Sequence, residues 1–153
     1  MSYQFAFLTP DFYKDHNQCN EIEQKPERPH LRMLMKINGL TFAIPFRSNI
    51  AHPNAFLTDP ANKCGLDFSK AVIIDDPAKY IDSSSTPHIR QNEFNAMRGK
   101  ERVIEAGMLR YIRAYEKARK RPDVPRNATL LKYSTLQYFP DAVLLPDAPA
   151  KET

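Results

Sequence analysis

The dipeptide Asn38-Gly39 is the feature that most constrains how this chain of 153 residues folds. On both sides of it, over 31–37 and 40–46, apolar residues recur at every second position. A period of two is typical of a β-strand with one buried face. Asn-Gly is the preferred pair of a two-residue type I′ turn, in which both residues need φ > 0. The segment therefore predicts a β-hairpin. Because Pro45 has no N–H to donate, we expect the second strand to finish at or near a sheet edge there.

The segments around the hairpin predict further short elements. They are strands over 3–8, 70–74 and 80–81, and a short helix with Thr9 as N-cap that ends near His16. Polar residues and prolines dominate 17–29 and 47–65, and both are interpreted as loops. Residues 89–97 fit a strand and a helix equally well.

A helical period governs 100–119, the one long helix that the sequence predicts. Five apolar side chains recur there at a spacing of three or four residues and form its buried stripe: Ile104, Met108, Tyr111, Ile112 and Tyr115. A second short helix is expected to begin at Ser134, with Leu136 and Phe139 facing inward. Strands followed by helices are typical of an α+β domain with a mostly antiparallel sheet. We expect one such compact domain over 1–145, with one long and several short helices, and a flexible tail over 146–153.

One segment carries the positive charge of the chain. There are 22 Lys and Arg against 18 Asp and Glu, a net charge of +4. Residues 98–126 alone carry ten basic and four acidic side chains, a net of +6, whereas 1–97 and 127–153 each carry a net of −1. A concentrated cationic segment indicates a polyanionic partner. A solvated helix face is the alternative interpretation.

Membrane and secretory features are missing from the sequence. No apolar run approaches the roughly 20 residues of a membrane span, and the N-terminus lacks the basic and apolar regions of a secretory signal. Cys19 and Cys64 stand apart and are interpreted as free thiols in a reducing compartment. We therefore expect a cytoplasmic protein with no membrane partner.

Signatures of metal and nucleotide sites are missing as well. The sequence contains no His-Glu-x-x-His, no Cys-x-x-Cys and no glycine-rich phosphate loop. Asp75 and Lys79 have the spacing of one metal-nuclease motif, but no Glu-x-Lys follows, and Asp75-Asp76-Pro77 is better explained as a strand-ending turn. We expect neither a metal nor a cofactor.

Polar and cationic side chains follow the hairpin directly: Arg47, Ser48, Asn49 and His52, with Lys63 at the far end of the loop. RNA cleavage without a metal needs such a set, because a base must take the 2′-OH proton and an acid must protonate the leaving 5′-oxygen. Fixed cationic donors stabilise the charge that develops on the phosphoryl oxygens. A strand-end cap with an idle histidine is the alternative.

Two further groups of side chains extend this candidate site. Arg28 and His30 precede the first hairpin strand, and in an antiparallel hairpin the start of one strand lies beside the end of the other. His88 and Arg90 form a third polar group, suited to contacts with unpaired RNA bases and phosphates.

Six segments of the chain carry a resemblance to a known family. They are FLTPDFY (7–13), KPERP (25–29), INGLTFAIPFRSNI (37–50), NKCGLDFSKAV (62–72), HIRQNEF (88–94) and KYSTLQYF (132–139). Together they resemble the TenpN toxins of type III toxin–antitoxin systems, whose relatives include ToxN, AbiQ and CptN. The resemblance runs from Phe5 to about Phe139.

This resemblance implies a compact, MazF/Kid-like β-core (a twisted sheet or barrel) wrapped by helices. It implies an endoribonuclease that cuts cellular or phage RNA without a metal, leaves a 2′,3′-cyclic phosphate and serves in phage defence. The implied antitoxin is itself RNA, a repeat transcript that the toxin cuts into pseudoknotted units. These units then bind and inhibit the toxin in a protein–RNA assembly.

The resemblance also bears on individual residues. ToxN-type members carry Pro-x-Thr-Ser at the strand end and a lysine two residues later. Here Pro45 and Ser48 are kept, Arg47 replaces the threonine, and Ile50 stands where the lysine falls. Arg28 stands where ToxN-type members carry a catalytic-site lysine. The resemblance therefore implies Ser48 and, by charge, Arg28 as catalytic residues, with Arg47 or His52 in place of the missing lysine.

The basic segment then becomes the expected contact surface for the RNA antitoxin, since each neutralised phosphate adds salt-dependent affinity. The expected contacts are Arg102, Arg110, Arg113, Lys117, Arg119, Lys120 and Arg121. Two alternatives stay open. One is a non-catalytic RNA-binding module that uses the same helix, and the other is a toxin held by a protein antitoxin.

Overall fold

The computed structural model describes residues 3–19, 22, 31–84 and 86–145. These residues form an α+β fold with one six-stranded antiparallel sheet and five α-helices. The strands are β1 (Gln4–Ala6), β2 (Arg32–Ile37), β3 (Leu40–Arg47), β4 (Ala55–Asp59), β5 (Cys64–Asp67) and β6 (Val72–Ile73). The helices are α1 (Pro10–Asp15), α2 (Pro77–Tyr80), α3 (Gln91–Met97), α4 (Glu101–Lys120) and α5 (Pro125–Tyr133). The predicted α+β class with an antiparallel sheet is confirmed.

The β2–β3 hairpin has the predicted turn. Asn38 has a φ of 53° and Gly39 a φ of 81°, the pair of positive angles that a type I′ turn requires. The register pairs Ile37 with Leu40 and continues without a break to Arg32 and Pro45. Local turn chemistry and a period of two were sufficient to predict this element.

The expectation that Pro45 marks a sheet edge is wrong. β3 is central: β2 flanks one side, and on the other side β6 pairs at Phe42 and Ala43 and β5 pairs at Phe46 and Arg47. The amide of Phe46 donates to the carbonyl of Leu31 on the β2 side at 3.1 Å. Because successive backbone groups point to opposite sides of a strand, the nitrogen of Pro45 faces the other side, between β6 and β5. The missing N–H breaks no ladder bond there.

The sheet has the strand order β1-β2-β3-β5-β4, with β6 beside β3. β1 and β4 lie at its two ends, and within the described residues the sheet is open rather than closed into a barrel. No described helix is both long and apolar enough to cross a bilayer.

The interpretation of 47–65 as a loop is only partly correct. Residues 48–54 are loop, but β4 and β5 form a second hairpin, joined by a 3-10 turn at Pro60–Asn62 and by Lys63 in the left-handed region with a φ of 54°. The register of this hairpin shifts between Leu57 and Asp59. The shift interrupts the alternation of apolar and polar residues by which β4 and β5 would be recognised in the sequence.

Helix α4 closes the main core over one face of the sheet. The five residues of its predicted stripe are all buried, and Gly107 lies on the same face. A Cβ on Gly107 would lie 2.8 Å from Cε2 of Phe68, so the missing side chain lets α4 approach the 3-10 turn at Phe68–Lys70 closely. The predicted amphipathic helix is confirmed.

The remaining short elements give a mixed outcome. Helix α1 has Thr9 as N-cap and ends at His16, as predicted, and 89–97 resolves into α3. The strand over 70–74 shrinks to β6, after a 3-10 turn at Phe68–Lys70.

One prediction of a short element is wrong and another is confirmed in part. The predicted strand over 80–81 is helix α2, because Asp76 caps it and Pro77 starts it; only Ile81 forms a bridge, with Leu8. The short helix predicted from Ser134 is present as a 3-10 helix, Thr135–Tyr138, that Ser134 caps and in which Leu136 is buried, whereas α5 before it was not predicted. The tail 146–153 lies outside the described residues.

Candidate active site

The loop after β3 opens into a cavity of about 500 Å³ against α5. We call this cavity the α5 cleft. Three parts of the chain line it: 47–54 from the end of β3 onward, 67–70 from the end of β5 onward, and the α5 face that carries Arg126, Leu130 and Tyr133. The predicted residues Arg47, Ser48, Asn49 and His52 all lie in its wall. The fold therefore places these four predicted residues in one cavity wall.

A second cavity, of about 330 Å³, lies beside the segment that leads into α3. We call it the α3 cleft. Its polar lining consists of Arg47, Ser48, Cys64, His88, Arg90 and Glu93. The third predicted group, His88 and Arg90, thus meets the strand-end residues here.

Arg47 and Ser48 line both clefts and form the border between them. Arg47 is the last residue of β3 and pairs with Gly65 of β5. Asn49 has a φ of 57°, so the chain turns sharply after Ser48. This turn leaves Ser48 exposed at the junction. A cation and a hydroxyl therefore stand at one point between two cavities.

His52 is held at both ring nitrogens. The amide of Asn54 donates to Nδ1 at 3.1 Å, so Nδ1 carries a lone pair and the ring proton lies on Nε2. Nε2 lies 3.2 Å from Oδ1 of Asp67 and 3.2 Å from Oγ of Ser69. Both nitrogens serve contacts within the protein. The imidazole therefore positions the cleft wall rather than offering a free nitrogen to a substrate.

The trio of Ser69, His52 and Asp67 is not a nucleophilic triad. In such a triad the carboxylate and the hydroxyl bond to opposite ring nitrogens. Here both lie at the same nitrogen, and Ser69 Oγ donates to Asp67 Oδ1 at 2.6 Å. The arrangement instead fixes Asp67, which is only 4% exposed. Its Oδ1 also accepts from the Ser69 amide at 3.0 Å and caps the 3-10 turn.

Two long-range contacts hold α5 as a wall of its cleft. Lys70 Nζ donates to the carbonyl oxygen of Tyr133 at 2.9 Å. The buried hydroxyl of Tyr111 on α4 donates to Ser134 Oγ at 2.5 Å. Burial raises the pKa of Tyr111 far above its usual value, so this hydroxyl remains a neutral donor. Tyr133 itself is 50% exposed and lines the cleft, with Lys132 Nζ 5.3 Å from the centre of its ring.

Glu93 is the most buried ionisable side chain of the α3 cleft. It lies in the first turn of α3 and is 9% exposed. Thr58 Oγ1 of β4 donates to its Oε2 at 2.8 Å. Glu93 was not among the predicted site residues, because nothing in the neighbouring sequence shows that β4 covers it. Arg90 directly precedes the helix and His88 lies three residues before it, and both are exposed.

Most of the basic side chains of α4 form a surface separate from both clefts. At 3.6 residues per turn, five of them fall within an arc of about 80°. They define the basic face of α4: Arg102, Arg110, Arg113, Lys117 and Lys120, all exposed. None of the five lines either cleft.

Arg119, Arg121 and Lys63, three further predicted site residues, lie off the basic face. Arg119 lies off the basic face, pairs with Glu116 at 3.2 Å and places its guanidinium carbon 5.9 Å from the centre of the Tyr115 ring. Arg121 follows the helix and pairs with Asp123 at 3.3 Å. Lys63 is exposed at the β4–β5 turn and lines neither cleft, although its carbonyl accepts from the amide of Ile50. Arg28 and His30 lie outside the described residues.

The described part of the chain contains no group of three His, Cys, Asp or Glu side chains that could hold a metal ion. No protein-family model, curated protein or solved structure matches the chain. The resemblance to the TenpN toxins therefore rests on the six sequence segments.

Proposed function

We propose that this protein is an endoribonuclease toxin of the TenpN type, which cleaves RNA at the border between the α5 and α3 clefts without a metal. One observation carries the proposal: Arg47 and Ser48 are shared by two adjacent cavities. An RNA strand laid across this border has one nucleotide in each cavity, and the phosphate that joins them lies beside Arg47.

The residues at the border suit the chemistry of a phosphodiester. The planar guanidinium of Arg47 is able to donate two parallel hydrogen bonds to the non-bridging phosphate oxygens. The hydroxyl of Ser48 adds a neutral donor. These donors stabilise the phosphorane-like charge that develops when the 2′-oxygen attacks the phosphorus. The products are a 2′,3′-cyclic phosphate and a free 5′-hydroxyl.

The α5 cleft is suited to an unpaired base. Tyr133 offers a half-exposed aromatic side chain and Leu130 an apolar surface, while Asn49 and Asn54 supply side-chain amides. Sequence-specific recognition of RNA relies on this combination of stacking and edge contacts with splayed bases. The strand is therefore held on one side of the reacting phosphate by the cleft wall that His52, Asp67 and Ser69 build.

The basic face of α4 supports the second half of the proposal, an RNA antitoxin. Its five cations span about 27 Å of helix at a rise of 1.5 Å per residue, and no acidic residue lies on that face. A folded RNA presents phosphates over such a length, and the surface is separate from the clefts. We infer that a repeat-derived, pseudoknotted RNA is anchored on this face and extends from it over the clefts in a protein–RNA assembly. The same proposal includes a sheet related to that of the MazF/Kid toxins, a cytoplasmic location and a role in phage defence.

The experiment that tests the proposal is an incubation of the purified protein with a long unstructured RNA, with and without EDTA. We expect cleavage under both conditions and fragments that end in a 2′,3′-cyclic phosphate. Retention of the RNA without cleavage supports the non-catalytic RNA-binding module. Cleavage that EDTA abolishes points to a metal nuclease. Recovery of a protein rather than an RNA with the inactive toxin from its natural operon supports a protein antitoxin.

A further inference from the structure

A buried carboxylate of the α3 cleft has no cationic partner among the described residues. Glu93 is 9% exposed, and the described side chain that bonds to it is the neutral hydroxyl of Thr58. Within the same part of the chain, no Lys, Arg or His forms an ion pair with it. A carboxylate in the wall of a cleft is a group that general base catalysis can use.

The same cleft supplies the other groups that a phosphodiester cleavage requires. Arg47 and Arg90 are cations in its wall, Ser48 is a neutral donor, and His88 is an exposed imidazole. Glu93 and His88 come from the two sides of the α3 N-terminus. A carboxylate, an imidazole, a hydroxyl and two guanidinium groups thus line a cavity of about 330 Å³.

The α5 cleft does not offer this set. His52 is its imidazole, and its Nδ1 accepts from a backbone amide while its Nε2 faces Asp67 and Ser69. Asp67 is in turn used by the Ser69 amide and hydroxyl. Proton transfer by either residue competes with these contacts. The α3 side of the border therefore offers the less engaged groups.

We propose that Glu93 is the general base and His88 the general acid of the cleavage, a proposal that rests on the proposed function above. Glu93 takes the proton of the 2′-hydroxyl, and the freed 2′-oxygen forms a bond to phosphorus. The bond from phosphorus to the 5′-oxygen breaks, and the leaving oxygen receives a proton from the imidazolium of His88. Glu93 ends protonated and His88 neutral, and exchange of protons with water restores both. Thr58 orients the carboxylate, and Arg47 binds the phosphate.

The two roles are separated by the chemistry of the leaving group. A 5′-thiolate leaves without protonation, so a substrate with sulfur in place of the bridging 5′-oxygen does not need a general acid. The test uses an oligoribonucleotide with one cleavage site, chosen from the wild-type cleavage pattern and synthesised with oxygen or with sulfur at that position. Single-turnover rates are measured for the wild type, His88→Ala, Glu93→Gln and the distant carboxylate control Glu105→Gln.

We expect the His88→Ala variant to cleave the oxygen substrate about 100-fold more slowly than the wild type. The same variant is expected to cleave the sulfur substrate within about fivefold of the wild-type rate. Glu93→Gln keeps the bond from Thr58 through its amide oxygen, and we expect it to slow both substrates by about 100-fold or more. Glu105→Gln is expected to match the wild type. If the thermal melt shows that the Gln variant is unfolded, Glu93→Asp is measured instead. This substitution withdraws the carboxylate by one methylene, and we expect it to slow cleavage of both substrates equally.

The possible results distinguish failure of the Glu93 and His88 assignment from failure of the proposed function. Near-wild-type rates for Glu93→Gln, or a His88→Ala defect that is equal on both substrates, overturn the assignment while the wild-type cleavage upholds the proposed function. Failure of the wild type to cut either substrate overturns the proposed function and this assignment with it.

Discussion

Arg47 of β3 lies directly opposite Gly65 of β5 in the antiparallel register of the sheet. A Cβ on Gly65 would lie 2.1 Å from the carbonyl oxygen of Phe56 and 2.7 Å from Cα of Leu57. The missing side chain lets β4 close against β5 behind the arginine. The position of Arg47 between the two clefts therefore depends on a close approach of two backbones.

Gly65→Ala is predicted to destabilise the protein, because the backbone of β4 must move away. We expect the free energy of unfolding to fall by about 2 kcal/mol, together with slower RNA cleavage as Arg47 shifts. Urea denaturation measures the first effect. Gly99→Ala is the control: its positive φ of 69° is strained for alanine, but no atom lies within 4 Å of the added Cβ. A Gly65→Ala variant as stable as the wild type contradicts this view of the β4–β5 packing.

The basic face of α4 is predicted to govern affinity for the RNA antitoxin. Arg113→Glu and Lys117→Glu are expected to weaken binding and to reduce the slope of log affinity against log salt by about 0.7 to 0.9 for each phosphate that is no longer neutralised. Arg119→Glu is the matched control, because Arg119 lies off this face and pairs with Glu116. Filter binding of the labelled repeat RNA at several salt concentrations makes the comparison. Equal effects of all three substitutions would mean that net charge, not this face, determines binding.

Tyr133 is predicted to stack on a substrate base in the α5 cleft. Tyr133→Ala is expected to raise KM for RNA about tenfold, since a base–aromatic stack contributes about 1–3 kcal/mol, whereas Tyr133→Phe keeps the ring and the affinity. Val143→Ala removes another exposed apolar side chain, outside both clefts, and serves as the control. Steady-state cleavage kinetics give KM for each variant. An unchanged KM for Tyr133→Ala places the base elsewhere.

A cluster of ionisable side chains between α1 and α2 predicts a pH dependence of stability. Lys79 Nζ lies 2.8 Å from Asp15 Oδ2, and Tyr80 Oη donates to the same oxygen at 2.7 Å. The hydrogen bond from Lys79, and then that from Tyr80, lowers the pKa of Asp15 below its usual 3.8. A lowered pKa stabilises the fold above the usual carboxyl pKa, and this contribution disappears as the pH falls through the lowered value.

Thermal melts of the wild type and Asp15→Asn between pH 7 and pH 2 measure this contribution. We expect the wild type to melt higher at neutral pH and the two melting curves to converge at the acid end. A difference in Tm that persists unchanged to pH 2 rules out titration of Asp15 as its source.

The sequence predicted those parts of the molecule whose signals are local. Asn38-Gly39 and a period of two specify the β2–β3 hairpin, and the spacing of Ile104, Met108 and Tyr111 specifies α4. β4 and β5 escaped prediction because Lys63, rather than Gly or Asn, takes the left-handed position of their turn and because their register shifts.

The residues of the candidate site that the sequence predicted are likewise those whose signals are local. Arg47, Ser48, Asn49 and His52 come from one loop, so their proximity follows from the chain itself. Asp67, Glu93 and Tyr133 come from separate elements. The pairing of β5 with β3 places Asp67 at the site, and the packing of α3 on β4 places Glu93. The hydrogen bond from Lys70 to α5 places Tyr133. Such contacts between distant segments leave no periodic signal, and these residues became candidates only through the fold.

Substitution of the two residues at the cleft border tests the central claim most directly. The measurement is the single-turnover rate of RNA cleavage in EDTA for the wild type, Arg47→Ala, Ser48→Ala and the exposed control Lys36→Ala, with thermal melts to confirm folding. We predict metal-free cleavage by the wild type and the control. Ser48→Ala is expected to be at least tenfold slower, about 1.4 kcal/mol in barrier, and Arg47→Ala about 100-fold slower, about 2.7 kcal/mol. Cleavage at wild-type rates by both folded border variants would contradict the account.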